Sequence, residues 1–146
     1  AVKEVKNEYL DINGKKEFKL NETFQNKYEK ITMIEVNTNF KDYDEYSSPK
    51  SGYKYIMAKF EIENINEEND ELYVSSYEYN ASADGVAVKQ AYIGYDKYDD
   101  FSATVGKGKK TVGYVCYEVP KNAKTIEIDY EANFWIDGNA IKFIVQ

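Results

Sequence analysis

The chain contains no histidine and no arginine; its 146 residues carry 19 basic side chains, all lysine, against 26 acidic ones. Without histidine there is no Ser-His-Asp or Cys-His relay and no imidazole metal ligand, and without arginine there is no guanidinium fork for phosphate or carboxylate. A single cysteine, Cys116, excludes an internal disulfide. One thiol suits a cytosolic protein and equally a bacterial exported protein that avoids thiols, so it does not decide the compartment. No apolar run approaches the roughly 18 to 20 residues of a membrane span, and the N-terminus shows no charged stretch leading into an apolar one. The net charge is -7 and the isoelectric point is near 4.8. With no lysine stripe beyond Lys107, Lys109 and Lys110, that field repels nucleic acid and anionic lipid, and neither is expected as a partner.

What is present is a length that suits one domain, with a core able to bury about 68 to 70% of the unfolded chain's surface without a disulfide or metal staple. The chain opens on Ala1 rather than Met, which leads us to expect that an export signal or anchor has been removed. Heavy use of Lys, Asn, Ile and Tyr without Arg fits A/T-rich codons and a low-GC bacterial genome. Residues 1–16 are polar with scattered apolar positions and read as a flexible N-terminal tether. Residues 17–146 read as one β-rich domain.

From Glu17 the hydrophobic pattern has period two. Ile56, Ala58, Phe60 and Ile62 fall on one face of a strand over 54–64, opposite Lys59, Glu61 and Glu63. Ile126, Ile128 and Tyr130 alternate with Thr125, Glu127, Asp129 and Glu131, and Val115, Tyr117 and Val119 share a face of a strand over 111–120. Further strands are expected over 18–20, 28–40, 72–79, 86–90 and 141–145. They are separated by turn residues, of which Asp84-Gly85 is the clearest hairpin signal. No window shows a helical stripe. Seven to eight short strands at this spacing point to an all-β sandwich of two antiparallel sheets or to a barrel.

The residues now in view resemble a known family, the immunoglobulin-like (telokin-like) extracellular domain of unknown function found in lipoproteins of Gram-positive bacteria. The resemblance runs from about Asn21 to Gln146. It rests on Gly52-Tyr53-Lys54-Tyr55-Ile56 continuing into Phe60-Glu61-Ile62-Glu63-Asn64, on the Asp84-Gly85 hairpin, and on Gly108-Lys109-Lys110 leading through Gly113-Tyr114-Val115 to Tyr117-Glu118-Val119-Pro120. Tyr117 replaces the family's phenylalanine before Glu-Val-Pro, and the lipid-bearing cysteine is not in the chain. The resemblance implies an immunoglobulin-like β-sandwich, an extracellular location at the membrane face and attachment through an N-terminal lipid. It transfers no catalytic residue. Gly108 is expected to supply a turn, Pro120 to end a strand, and Asn64 to bond neighbouring backbone at a strand end.

Several constellations remain as functional candidates. Asp96, Asp99 and Asp100 crowd one loop with hard oxygen ligands that suit calcium, as do Asp42, Asp44 and Glu45 in a second and Glu67 to Glu71 in a third. None has EF-hand spacing, and in a chain of net charge -7 a carboxylate-rich loop is more often a solvated face. No acid pair stands out for glycoside hydrolysis. Cys116 lies inside a strand, without a cation or helix N-terminus to activate it, and reads as a small side chain on that strand's second face. Tyrosine is the conspicuous excess, at 15 residues. Tyr117 and Tyr130 belong to inward faces. Tyr43, Tyr46, Tyr92, Tyr95 and Tyr98 fall in predicted loops beside acids, where tyrosine offers large contact area at low entropic cost. They form a candidate binding patch for a basic protein segment or a glycan, against the plainer reading that tyrosine only covers sheet surface. Trp135, with Phe134 and Phe143, is expected as a core anchor. The reading as a whole is a non-enzymatic binding or interaction module at the bacterial cell surface, with a small-ligand or calcium-binding envelope protein as the alternative.

Overall fold

A computed structural model describes residues 7–68, 71–93, 96–131 and 140–146. Their strands are β1 (Glu17–Phe18), β2 (Thr23–Gln25), β3 (Glu29–Phe40), β4 (Tyr53–Asn64), β5 (Glu71–Ser75), β6 (Tyr79–Ala83), β7 (Val86–Ala87), β8 (Lys89–Gln90), β9 (Ser102–Gly106), β10 (Lys110–Pro120), β11 (Ile126–Glu131) and β12 (Ala140–Ile144). One sheet has the order β1-β12-β11-β6-β7 and the other β2-β3-β4-β10-β8, while β5 and β9 form a two-stranded ribbon. The expected immunoglobulin-like β-sandwich is the fold. Within it the short β1 runs parallel to β12, with Phe18 opposite Phe143; the other strand pairs are antiparallel.

The segment count exceeds the expectation because two expected strands are split. The run over 72–79 breaks at a 3₁₀ turn, Ser76–Glu78, whose cap is the Ser75 side chain accepting from the Tyr77 amide. β5 before the turn joins the ribbon, and β6 after it joins the first sheet. The run over 86–90 crosses between sheets at Val88: β7 pairs with β6, whereas β8 pairs with β10. Two strands, β2 and β9, are additional to those expected. Asp84 and Gly85 form the expected hairpin, both with positive φ, 50° and 80°, as a type I′ turn requires. The Asp84 carboxylate then accepts from the amides of Lys124 and Thr125 at 3.0 and 2.8 Å, which joins this turn to the entry of β11.

The predicted strand faces agree with the packing. Ile56, Ala58, Phe60 and Ile62 of β4 meet Val115, Tyr117 and Val119 of β10 and Ile126, Ile128 and Tyr130 of β11 in one core. Phe60 is its aromatic centre, with ring centroids 5.1 Å from Tyr79, 5.8 Å from Phe101 and 5.0 Å from Phe143. Trp135 and Phe134 lie outside the described residues; Phe143 is fully buried. Two breaks in the β3–β4 register, after Met33 and after Asn37, change the alternation, so that Phe40 faces the opposite side of the sheet from Ile31 and Met33. There Phe40, Tyr55, Met57, Ile93 and Cys116 form a smaller second cluster.

The tether expected over 1–16 is docked from Asn7 onward, because its backbone has partners to satisfy. The Ile12 amide donates to the Gln25 carbonyl at 2.8 Å, and the buried Asp11 carboxylate accepts from the Asn13, Lys15 and Gln25 amides. Asn64 performs its expected role at the end of β4. Its Oδ1 accepts from the Asn66 amide, and its amide side chain donates to the Val105 carbonyl at 2.9 Å.

Gly113 is required for a different reason from the turn glycines. A β-carbon built there would lie 2.6 Å from the Phe101 β-carbon and 2.7 Å from its backbone nitrogen. Gly113→Ala is therefore expected to force β10 away from the Phe101 segment, at a cost of about 2 to 3 kcal/mol, the upper part of the range for overpacking a filled interior. Chemical denaturation of the two proteins would check this.

Candidate functional site

The structure builds two clefts from side chains that are distant in sequence. The first, about 300 Å³, lies over the outer face of the β10 end of its sheet. The 3₁₀ turn carries Tyr77 to one wall, the segment after β8 carries Tyr92, and β10 supplies Tyr114 and Cys116. A second 3₁₀ turn, Asp96–Tyr98, brings Tyr98 against Phe40 and Tyr114, edge to face at 5.0 and 5.3 Å. Tyr77 and Tyr92 are 80% and 83% exposed, large aromatic surfaces at the cleft. Gln90 beneath them is held by donation to the Ser76 and Tyr79 carbonyls.

The candidate tyrosine patch is thereby divided. Tyr98 is half-buried, and its hydroxyl donates to the Asp42 carboxylate, which Lys97 also meets at 2.8 Å. Those two interactions hold Asp42 below the usual carboxylate range. They also join the two loops that carry the patch. Tyr43 packs edge to face on Tyr55 at 5.4 Å and lines a separate hollow beside Lys50 and Tyr53. Tyr46 is fully exposed, and Tyr95 lies outside the described residues. Of the patch, Tyr92 and Tyr98 meet at one cleft, where Tyr77 and Tyr114 join them. Tyr77 was hidden from the sequence reading because it was assigned to the interior of a strand that the 3₁₀ turn interrupts.

Asp100 accepts from the Ser76 hydroxyl at 2.8 Å, Asp99 lines the first cleft, and the Asp96 side chain lies outside the described set. Among the described residues no three acidic or thiol side chains converge as a metal-holding group. Cys116 sits on the second face of β10 as expected, and burial pushes its thiol up to about 12, so it is not an activated nucleophile.

The second cleft, about 400 Å³, opens where β3 begins. Glu29 stands at its base, only 4% exposed. Asn26 presents it: the Asn26 side-chain oxygen accepts from the Tyr28 and Glu29 amides at 2.8 and 2.9 Å, fixing the turn into β3. The Tyr130 hydroxyl donates to Glu29 Oε1 from the opposite sheet. Burial raises the Glu29 carboxyl to about 7, against the lowering effect of the Tyr130 hydrogen bond, and the charge of Glu78 on the cleft wall raises it further. Glu78, exposed on the cleft wall, is itself raised, chiefly by partial desolvation. Period-two reading placed position 29 inside a strand but gave no reason to expect a carboxylate facing inward.

The family model for the domain of unknown function DUF4352 matches residues 18–141, from β1 into β12. The chain belongs to the DUF4352 family. No curated protein matches it. Among solved structures, this DUF4352 domain is similar to a candidate lipoprotein, YcdA, from Bacillus subtilis, at 15% identity and a TM-score of 0.68 over 85% of this chain; it spans 38% of that protein's length. It also resembles an uncharacterised β-sandwich protein from Clostridium difficile, at 16% identity and a TM-score of 0.56, covering 100% of this chain and 99% of the other. A candidate lipoprotein from Staphylococcus aureus aligns at 20% identity and a TM-score of 0.57, covering 83% and 86% of the two chains. At these identities the likeness establishes the sandwich, while the DUF4352 match indicates no enzymatic family.

Glu29 makes the stability of this DUF4352 domain depend on pH. Its carboxyl titrates near 4.5 in the unfolded chain and near 7 when folded, so between those values the folded state holds the extra proton. The contribution is fully present below about pH 4.5 and is lost as pH rises through about 7, for a total on the order of 3 kcal/mol. Glu29→Gln should flatten that decline and make the variant more stable than the parent at pH 8, measured as urea midpoints at pH 5 and pH 8.

Proposed function

We propose that this domain is a non-enzymatic recognition module displayed on the outer face of a bacterial cell membrane, and that it binds a glycan in the cleft walled by Tyr77, Tyr92, Tyr98 and Tyr114. The observation that carries the reading is the pair of exposed rings, Tyr77 and Tyr92, that line one concavity. Isolated exposed tyrosines need no explanation; two at the mouth of an aromatic cleft supply stacking faces for sugar rings. Asp99 offers a carboxylate at the same cleft, an acceptor for sugar hydroxyls. A cleft of this size lies at the small end of ligand sites, which suits one end or one short stretch of a polymer.

The absence of histidine and arginine from the chain and the high thiol pKa of Cys116 support a binding role over catalysis. Export and lipid anchoring are supported by the family resemblance and by the lipoprotein descriptions of two structural relatives.

Screening the domain against immobilised bacterial and host glycans is expected to yield a ligand whose binding depends on both rings. Tyr77→Ser combined with Tyr92→Ser should weaken it roughly 10- to 100-fold, because each aromatic contact contributes about 1 kcal/mol or somewhat more. Both side chains are largely solvated, so the melting temperature should barely move. Retained affinity in the folded double variant would sink the proposal.

A further inference from the structure

The second cleft serves no purpose in glycan recognition, and its chemistry points to a different ligand. Glu29 is 96% buried by its 4% exposure, yet only one of its carboxylate oxygens, Oε1, has a hydrogen-bond donor, the Tyr130 hydroxyl. Among the described residues no protein donor is found for the other oxygen, and Glu29 lines the cleft. A carboxylate so largely removed from water receives few donors in return. Glu78, Glu68 and Glu71 line the same cleft, as do the rings of Tyr9, Tyr28, Tyr73 and Tyr130, and no lysine is among the lining residues. Lys27, two positions before Glu29, is paired with Glu8 and Glu68 at 3.3 and 3.0 Å, and Lys30, the sequence neighbour of Glu29, does not line the cleft.

From this arrangement we infer that the cleft binds a primary alkylammonium group, the terminal charge of a free diamine or of a lysyl side chain, between the Glu29 and Glu78 carboxylates and the surrounding tyrosine rings. An ammonium supplies the donors that Glu29 lacks, neutralises two neighbouring acids at once, and is attracted to tyrosine faces. A metal ion fits less well, since among the described residues the acids of this lining, Glu68 and Glu71 included, do not converge as a group of three that could hold one. A hydrolytic pair fits less well too: both acids are raised by burial, whereas that chemistry needs one held ionised beside one held protonated.

The test is calorimetric titration of the full chain with 1,5-diaminopentane, with Nα-acetyl-lysine methylamide, and with 1-pentanol as the uncharged control. Binding of either amine with no binding of pentanol is the expected result, and which amine binds more tightly identifies the source of the ammonium. The Glu29 carboxylate must be ionised to engage it, so affinity should fall about 10-fold or more from pH 8 to pH 5. Glu29→Gln should weaken binding by a similar factor. Glu78→Gln, at an exposed position, should do so as well and decides the matter if the Glu29 variant does not fold. Binding of neither amine at 10 mM-scale concentrations, equal binding of pentanol, an affinity independent of pH, or unchanged affinity in a folded Glu78→Gln protein would each overturn the inference.

Discussion

Two phenol hydroxyls cross the interior in opposite directions, and the relative position of the two sheets depends on them. Tyr117 of β10 donates to the Tyr79 carbonyl at the start of β6, at 2.7 Å. Tyr130 of β11 donates to Glu29 at the start of β3. Apolar contacts between sheets are non-directional and tolerate sliding, whereas a buried hydroxyl with one acceptor has one acceptable register. The rings of Tyr79 and Tyr130 stack at 4.8 Å, which links the two bonds into one unit. Through it, the 3₁₀ turn that carries Tyr77 and Glu78 is referred to both sheets, and each cleft takes one wall from that turn.

The same unit explains why a phenylalanine-to-tyrosine exchange at position 117 is accommodated. A phenol buried without an acceptor would be costly, but the strand break at Ser76–Glu78 leaves a carbonyl facing the core. Gln90 reaches the same carbonyl from β8, so the crossing of the chain between sheets at Val88 is anchored at the same point. One carbonyl thus organises a turn, an inter-sheet bond and the edge strand beside the aromatic cleft.

The two clefts differ in how they handle charge. At the first, acids are exposed or paired: Asp42 with Lys97 and Tyr98, Asp100 with Ser76. At the second, Glu29 is largely withdrawn from water with one protein donor, and the nearby Lys27 is paired with Glu8 and Glu68. A chain without arginine has no planar, weakly hydrated cation to bury beside such a carboxylate, and a lysine ammonium would bring its own desolvation cost. The unfilled valence of Glu29 is therefore a direct consequence of composition combined with topology.

The sequence by itself determined the sandwich, the inward faces of β4, β10 and β11, the Asp84-Gly85 hairpin and the role of Asn64, because period-two burial and turn stereochemistry are local properties of the chain. It also determined what chemistry is excluded, since missing residue types cannot be supplied by folding. The breaks in the runs over 72–79 and 86–90, and the register shifts that carry Phe40 to the outer face, were settled only by tertiary structure. Each segment there satisfies its backbone by pairing with whichever sheet edge lies nearest, and a local pattern does not specify that edge. For the same reason the loop tyrosines were recognisable as an excess but could not be sorted. Burial on a second cluster took Tyr43 and Tyr98, exposure left Tyr46 and Tyr92, and the meeting of Glu29 with Tyr130, 101 positions apart, exists only once the two sheets are stacked.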